Sequence, residues 1–373
     1  MNARSSWHRL DRLQPLLAGM LAVLGVMTIF SAHADWVRQV LWVGLGLTAY
    51  VAAALFDYRR LRAMAPGLYV AMLLMLVAVR LAGHTALGAR RWLSIAGFPL
   101  EPSELSKLIL VVVLAAYLSR FERMTWRGFS GAVALVAPAA YLILTQPDLG
   151  TTIVFVTVLF AMLFLAGARP AQLLLPLASA AVVVPLLPHL LHGYQRRRLE
   201  IFLDPSQDPL GAGYNLLQAR IAVGSGGLFG QGWLHGMQGQ LGFVPERATD
   251  FVFAIFAEEF GLLGSLLLLA IFGTLLIRLL RSAAVAPDRF GELIAGGVFA
   301  MLLVQVVENV GMNIGLLPIA GIPLPLISYG GSATITTLAA LGLAQSVTLR
   351  RRAVAHREGA FASLGTITRR AQA

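Results

Sequence analysis

Residues 251–280 read FVFAIFAEEFGLLGSLLLLAIFGTLLIRLL, and from Phe260 to Ile277 no charged side chain interrupts the run. About 20 such residues, rising 1.5 Å each, carry a helix across a hydrocarbon core of roughly 30 Å. A helix also satisfies its own backbone groups in lipid, where no water is present to do so. Further apolar stretches repeat the pattern at about 14–31, 36–56, 66–83, 104–119, 129–146, 150–166, 170–188, 291–311 and 333–349. They predict an all-α integral membrane protein of about ten transmembrane helices. Composition agrees: 58% of the 373 residues are hydrophobic and 13% charged, with mean hydropathy +0.76, whereas a soluble domain carries roughly a quarter charged residues.

The net charge of +11 would suggest nucleic acid in a soluble protein. Here the arginines sit between apolar runs, Arg4, Arg9, Arg12, Arg59, Arg60, Arg62, Arg278, Arg281 and Arg350 among them, and the bias of basic residues toward one side explains them by topology. It places both termini in the cytoplasm and no nucleic acid is expected. Residues 1–373 form one polytopic domain, with a large extracytoplasmic loop at 189–250 and a basic cytoplasmic tail at 350–373. The loop carries aromatic residues and glycines rather than a low-complexity composition, which predicts ordered structure. No internal repeat stands out. After the first span, Ala32-His33-Ala34 has the small-x-small form of a signal-peptidase site, so cleavage there is an alternative to a retained first helix.

Several chemistries drop out. Without cysteine there is no thiolate nucleophile, disulfide or cysteine metal site. The histidines form no H-E-x-x-H pattern, and Gly224-Ser225-Gly226-Gly227 lacks the Lys-Ser/Thr of a nucleotide loop. Zinc, haem and nucleotide are therefore not expected, while a divalent cation, Mg²⁺ or Mn²⁺, held on carboxylates would leave little trace and stays open.

Ionisable groups in or beside apolar spans are costly, and a functional or paired role is their default reading. Glu104 and Lys107, three apart at the start of a helix after Pro102-Ser103, share a face as an ion pair. That pair reads either as a structural bridge or as the lining of a polar cavity; Asp148, in Pro147-Asp148-Leu149-Gly150, reads as helix cap or cavity wall. Glu258 and Glu259 need a polar partner. Asp250 closes the stretch LGFVPERATD at 241–250, at the membrane boundary, and is either the N-cap of the following helix or a catalytic carboxylate. Arg196, Arg197, Arg198, Arg220 and Arg247 lie against the charge bias and suit a phosphate or diphosphate, or anionic head groups.

Taken in order, Asp204-Pro205 with Asp208-Pro209-Leu210-Gly211, Gly224-Ser225-Gly226-Gly227-Leu228, Gly232-Trp233-Leu234-His235-Gly236, Pro245-Glu246-Arg247 with Thr249-Asp250-Phe251, and Pro323-Leu324-Pro325-Leu326-Ile327-Ser328-Tyr329-Gly330-Gly331-Ser332 resemble the SEDS (shape, elongation, division and sporulation) family of bacterial cell-wall proteins. Arg91-Trp92 and Pro102-Ser103-Glu104-Leu105 extend the likeness, which is nearer to the elongation branch than to the division branch. Ala248 stands where the family usually has His.

The resemblance implies a peptidoglycan glycosyltransferase in the bacterial inner membrane that polymerises lipid II, with lipid II as donor and acceptor. It also implies a class B penicillin-binding protein as partner, docked on the eighth and ninth spans, and surrounding membrane lipids. Asp250 is the implied catalytic base. Arg91, Trp92, Glu104, Lys107, Asp148, Arg196, Arg198, Arg220, His235, Glu246, Arg247, Ser328, Tyr329 and Ser332 are candidates for substrate binding or cavity lining. The rival readings are a lipid II flippase and a scaffold for a transpeptidase.

Overall fold

The computed structural model describes residues 10–86, 89–95, 98–183, 200–202, 204, 208 and 211–351. Ten helices correspond to the ten apolar stretches: α1 (Leu13–Ser31), α2 (Trp36–Leu55), α3 (Tyr58–Ala82), α4 (Pro102–Leu118), α5 (Trp126–Leu144), α6 (Leu149–Leu165), α7 (Pro170–Val183), α10 (Val252–Ala284), α11 (Arg289–Asn313) and α12 (Gly331–Leu349). Among the described residues of the long loop are α8 (Ala212–Ser225) and the single turn α9 (Met237–Gln240). Seven of these are both long and apolar enough to cross a membrane, and the chain is a multi-pass membrane protein.

Helix starts follow from short polar side chains that meet otherwise orphaned N–H groups. Asp35 accepts from Arg38, Asp57 from Arg59, Thr125 from Gly128 and Asp148 from Thr151, all at the backbone N–H. The cap at Asp57 explains why α3 begins eight residues before the expected 66. Arg59, Arg60 and Arg62 form a solvated first turn that an apolar-run reading leaves out. Pro102 occupies the first turn of α4, where its missing N–H costs nothing.

Helices α11 and α12 are the centre of the bundle: 72% of the apolar stretch of each is buried, against 22% for α2 and α3. The central α11 packs on α4, α6, α10 and α12, and α2 lies along α12. The first helix is built in, since Leu21 and Ile29 are fully buried and the Gln14 Nε2 donates to the Leu341 carbonyl at 2.7 Å. Cleavage after Ala34 would remove those contacts. The segment 84–100 carries an antiparallel meander of β1 (His84–Ala86), β2 (Ala89–Ile95) and β3 (Phe98–Leu100). Trp92 pairs with His84 and Leu93 with Leu100 across it.

On the arginine-rich side the helix ends are stitched by ion pairs and hydrogen bonds. Asp288, in the α10–α11 turn, accepts from the Tyr58 hydroxyl at 2.6 Å, the Arg59 Nε at 3.2 Å and the Gly291 N–H at 2.9 Å. Burial alone would raise its pKa, but those hydrogen bonds and the Arg59 charge outweigh it and hold the carboxyl below its ordinary value. A depressed carboxylate contributes stability that is present above its unfolded pKa, about 3.9, and is lost as pH falls through the folded value. Asp288→Asn is therefore expected to lower stability at neutral pH and to flatten the acid limb below about pH 4. Thermal unfolding of both proteins across pH checks this; parallel acid limbs would refute it.

Candidate active site

The turn that carries Asp250 is held by its backbone. Glu246 takes a left-handed conformation, φ 50°, unusual for a side-chain-bearing residue, and its carbonyl accepts from the N–H of Thr249 and of Phe251. Its carboxylate accepts from the Thr249 hydroxyl at 3.1 Å. From the segment 314–330, Ser328 Oγ donates to the Thr249 carbonyl at 2.6 Å and the Tyr329 N–H donates to the Ala248 carbonyl at 2.7 Å. From α11, the Asn309 and Asn313 Nδ2 groups donate to the Asp250 carbonyl at 2.9 and 3.1 Å. Three successive carbonyls, 248 to 250, are thereby pinned by groups from two other elements.

The same network bears on the start of α10. Phe251 holds the N-cap position of α10, and the Ala254 N–H that a cap would serve is met instead by Asn313 Oδ1 at 3.1 Å. Asn313 thus serves α10 and the Asp250 peptide with one amide. Asn313→Leu removes one hydrogen bond from each group, while Asn309 still serves the Asp250 carbonyl and the Phe251 carbonyl still accepts from the Ala254 N–H, so each loss costs about 0.5–1.5 kcal/mol. The variant is expected to lose about 1–3 kcal/mol in denaturant or thermal unfolding; a loss below about 0.5 kcal/mol, the ordinary range for a surface change, would contradict the clamp.

Behind the turn, α10 is broken at Gly261, whose φ of 65° and ψ of −166° lie outside any helix. Residues 226–232 fill the break. The N–H groups of Leu262 and Leu263 donate to the Gly227 and Leu228 carbonyls, and those of Gln231 and Gly232 donate to the Glu258 and Glu259 carbonyls. Both carboxylates have the polar partners expected of them. Glu258, fully buried, accepts from the N–H of Gln238 at 2.8 Å and of Gly239 at 3.0 Å. Glu259 accepts from the Ser31 hydroxyl of α1 and the Leu234 N–H. Gly226 and Gly227 of the Gly-rich motif thus belong to the segment that fills the broken helix.

Deeper in the bundle, Lys107 Nζ meets Glu104 Oε1 at 2.6 Å, with both residues at most 3% exposed. Asp148 caps α6 through the Thr151 N–H at 3.1 Å and is 2% exposed, so it serves as cap and as buried polar wall together. Glu308 of α11 lies within electrostatic reach of Asp148 and Lys107. It adjoins Asn309, so α11 joins this buried cluster to the Asp250 clamp.

The remaining candidates divide into tethers and residues not brought to the turn. Arg247 donates through Nε to the Ala32 carbonyl at 2.8 Å and through Nη1 to the Gly239 carbonyl at 2.7 Å, fastening the turn to the end of α1. Arg220 Nη2 donates to the Gly315 carbonyl at 3.1 Å, fastening α8 to the segment after α11. The Ser332 hydroxyl accepts from the Glu101 N–H at 2.9 Å, joining the end of the small sheet to α12. His235 is exposed, its Nδ1 2.8 Å from the Trp233 carbonyl. Trp92 is half-buried in β2, which also carries Arg91. Arg196 and Arg198 lie outside the described residues.

Sequence reasoning missed Asn309, Asn313 and Gln39. Gln39, fully buried on α2, donates to Thr334 Oγ1 and accepts from the Gly330 N–H. Amides inside apolar spans are the signal that could have found all three.

A family model described as cell cycle protein, covering FtsW, RodA and SpoVE, matches residues 14–353. Peptidoglycan glycosyltransferase MrdB of Escherichia coli (strain K12) is 40% identical over 359 residues, 94% of this chain and 97% of the relative. Stage V sporulation protein E of Bacillus subtilis (strain 168) is 37% identical over 90% of this chain and 96% of its own length. Among solved structures, a chain from a study titled "Structural coordination of polymerization and crosslinking by a peptidoglycan synthase complex" superposes with a TM-score of 0.82 at 35% identity, covering 92% of this chain and 98% of that one. Rod shape determining protein RodA of Thermus thermophilus gives 0.70 at 32% identity, over 92% and 98%. With nearly its whole length matched in sequence and in fold, the chain belongs to the FtsW, RodA and SpoVE family.

Proposed function

We propose that the chain is a peptidoglycan glycosyltransferase that polymerises lipid II at the outer face of the bacterial cytoplasmic membrane during elongation, with both termini cytoplasmic. The observation that carries the reading is the 40% identity to MrdB over 94% of the chain, joined to a carboxylate whose peptide is clamped by Asn309, Asn313, Ser328 and Tyr329.

The donor sugar is α-linked to a diphosphate and the product is β-linked, so the configuration inverts and a single displacement suffices. Asp250 takes the proton from the acceptor's 4-hydroxyl as that oxygen bonds to C1 of the donor. The C1–diphosphate bond breaks and its electron pair leaves on the lipid diphosphate. That leaving group needs cationic help rather than a proton, so no second carboxylic acid is required. Holding Asp250 by its main chain keeps its position fixed while its side chain reacts, and 1 Å of misplacement can cost about a hundredfold in rate.

Among the described residues no group of three or more His, Asp or Glu side chains could hold a metal ion alone. A divalent cation, Mg²⁺ or Mn²⁺, would be shared between one or two carboxylates and the substrate's diphosphate. A class B penicillin-binding protein is the partner proposed for the lipid-exposed faces of α10 and α11, since the superposed relative comes from a complex named for polymerization and crosslinking.

The buried Glu104, Lys107, Asp148 and Glu308 favour one other reading, a lipid II flippase, because intramembrane ions also suit a transport path. Labelled lipid II in vesicles with the purified chain and its partner separates the two. Glycan strands are expected; lipid II that changes leaflet without forming a glycosidic bond would overturn the transferase.

A further inference from the structure

The arginine-rich side holds a cleft far in the chain's topology from Asp250. It lies where three helix ends meet, the start of α1 at Leu13 and the last turns of α10 and α12, and encloses about 310 Å³, within the range of small-ligand sites. Among the described residues four arginines, Arg12, Arg278, Arg281 and Arg351, line it beside one carboxylate, Asp11. That carboxylate is already committed: one oxygen takes the Arg278 Nε at 2.7 Å and the other takes the Leu13 N–H at 3.2 Å. The wall is rigid, because Thr348 Oγ1 donates to Ser282 Oγ at 2.8 Å and Ser282 Oγ to the Arg278 carbonyl at 3.0 Å.

Like charges gathered in a walled cleft repel unless an anion joins them, and a planar guanidinium fork fits phosphate oxygens. The apolar part of the lining says which phosphate. Leu13 leads into an exposed stripe on α1, Leu13, Leu16, Met20 and Val23, spaced along one helical face. The cleft sits level with the helix ends, where lipid phosphates lie, and the stripe continues at acyl-chain depth. We propose that this cleft binds the phosphate of an anionic phospholipid, its head group between Arg12 and Arg281 and its chains along the α1 stripe. Basic pockets between helices at a charged membrane face recognise lipids in this way.

The test uses the full-length protein in phosphatidylcholine nanodiscs titrated with phosphatidylglycerol, with bound lipid read by native mass spectrometry. Arg12→Gln with Arg281→Gln is expected to weaken binding about 25-fold, which is about 1 kcal/mol per arginine converted at 1.4 kcal/mol per decade. Arg123→Gln with Arg127→Gln, on the same side but away from the cleft, is expected to change nothing. Arg278 is kept so that its pair with Asp11 survives. Should the double variant fail to fold, Arg281→Gln alone is read, with about a fivefold loss expected. Equal loss in both pairs would reduce the effect to general surface attraction and overturn the site, as would no loss in either. Displacement of the lipid by millimolar inorganic phosphate would overturn it in favour of a soluble anion.

Discussion

Gly261→Ala is expected to destabilise the protein by about 2–6 kcal/mol and to abolish activity with it. Two independent terms add. The backbone of Gly261 sits at φ 65° and ψ −166°, a region reserved for glycine, where a side chain costs about 1–3 kcal/mol. A Cβ there would also stand 2.3 Å from the Gly230 nitrogen and 2.7 Å from the Leu228 carbonyl oxygen. Both neighbours are backbone and cannot rotate away, so overpacking contributes about 1–3 kcal/mol more. Relief would require residues 226–232 to leave the break, exposing four backbone groups that lipid cannot satisfy. Gly224→Ala, with nothing within 4 Å of its added Cβ, is the control and is expected to be nearly neutral. Unfolding of both variants in detergent, followed by circular dichroism, checks the difference.

The second large effect is on rate rather than stability. Asp250→Asn keeps the shape of the side chain and every hydrogen bond to the 248–250 carbonyls, since those bonds involve the main chain. It removes the negative charge and with it the ability to accept a proton. A positioned general base contributes about 10²- to 10⁴-fold, so the variant is expected to fold as the parent does and to polymerise slower by that factor. Asn313→Leu should lower both stability and rate, because its amide supports helix and site together.

Much of the fold was legible because lipid imposes a simple rule: ten apolar stretches became ten helices in the expected order. What escaped was decided by contacts distant in sequence. The break in α10 is invisible in a run where Gly261 resembles any tolerated membrane glycine; it becomes necessary only when residues 226–232 insert. Asn309 and Asn313 gave no motif signal because they bind carbonyls 59 and 63 residues away. Arg247 looked like an anion binder from its charge, yet two of its nitrogens serve the carbonyls of Ala32 and Gly239. Asp250 was placed correctly at the mouth of α10, but cap and base could not be separated by spacing. In the fold Phe251 holds the N-cap position of α10, and proton acceptance by Asp250 is the property that Asp250→Asn tests. The Glu104–Lys107 pair was predicted from spacing alone, and its link through Asp148 and Glu308 to α11 was not.

The measurement that bears most directly on Asp250 as the base is strand formation from labelled lipid II by matched preparations of parent and Asp250→Asn protein, each with its partner and each shown to unfold at the same temperature. The account predicts β-linked strands from the parent and a rate lower by at least about a hundredfold from the variant. Equal rates from two equally folded proteins would contradict it.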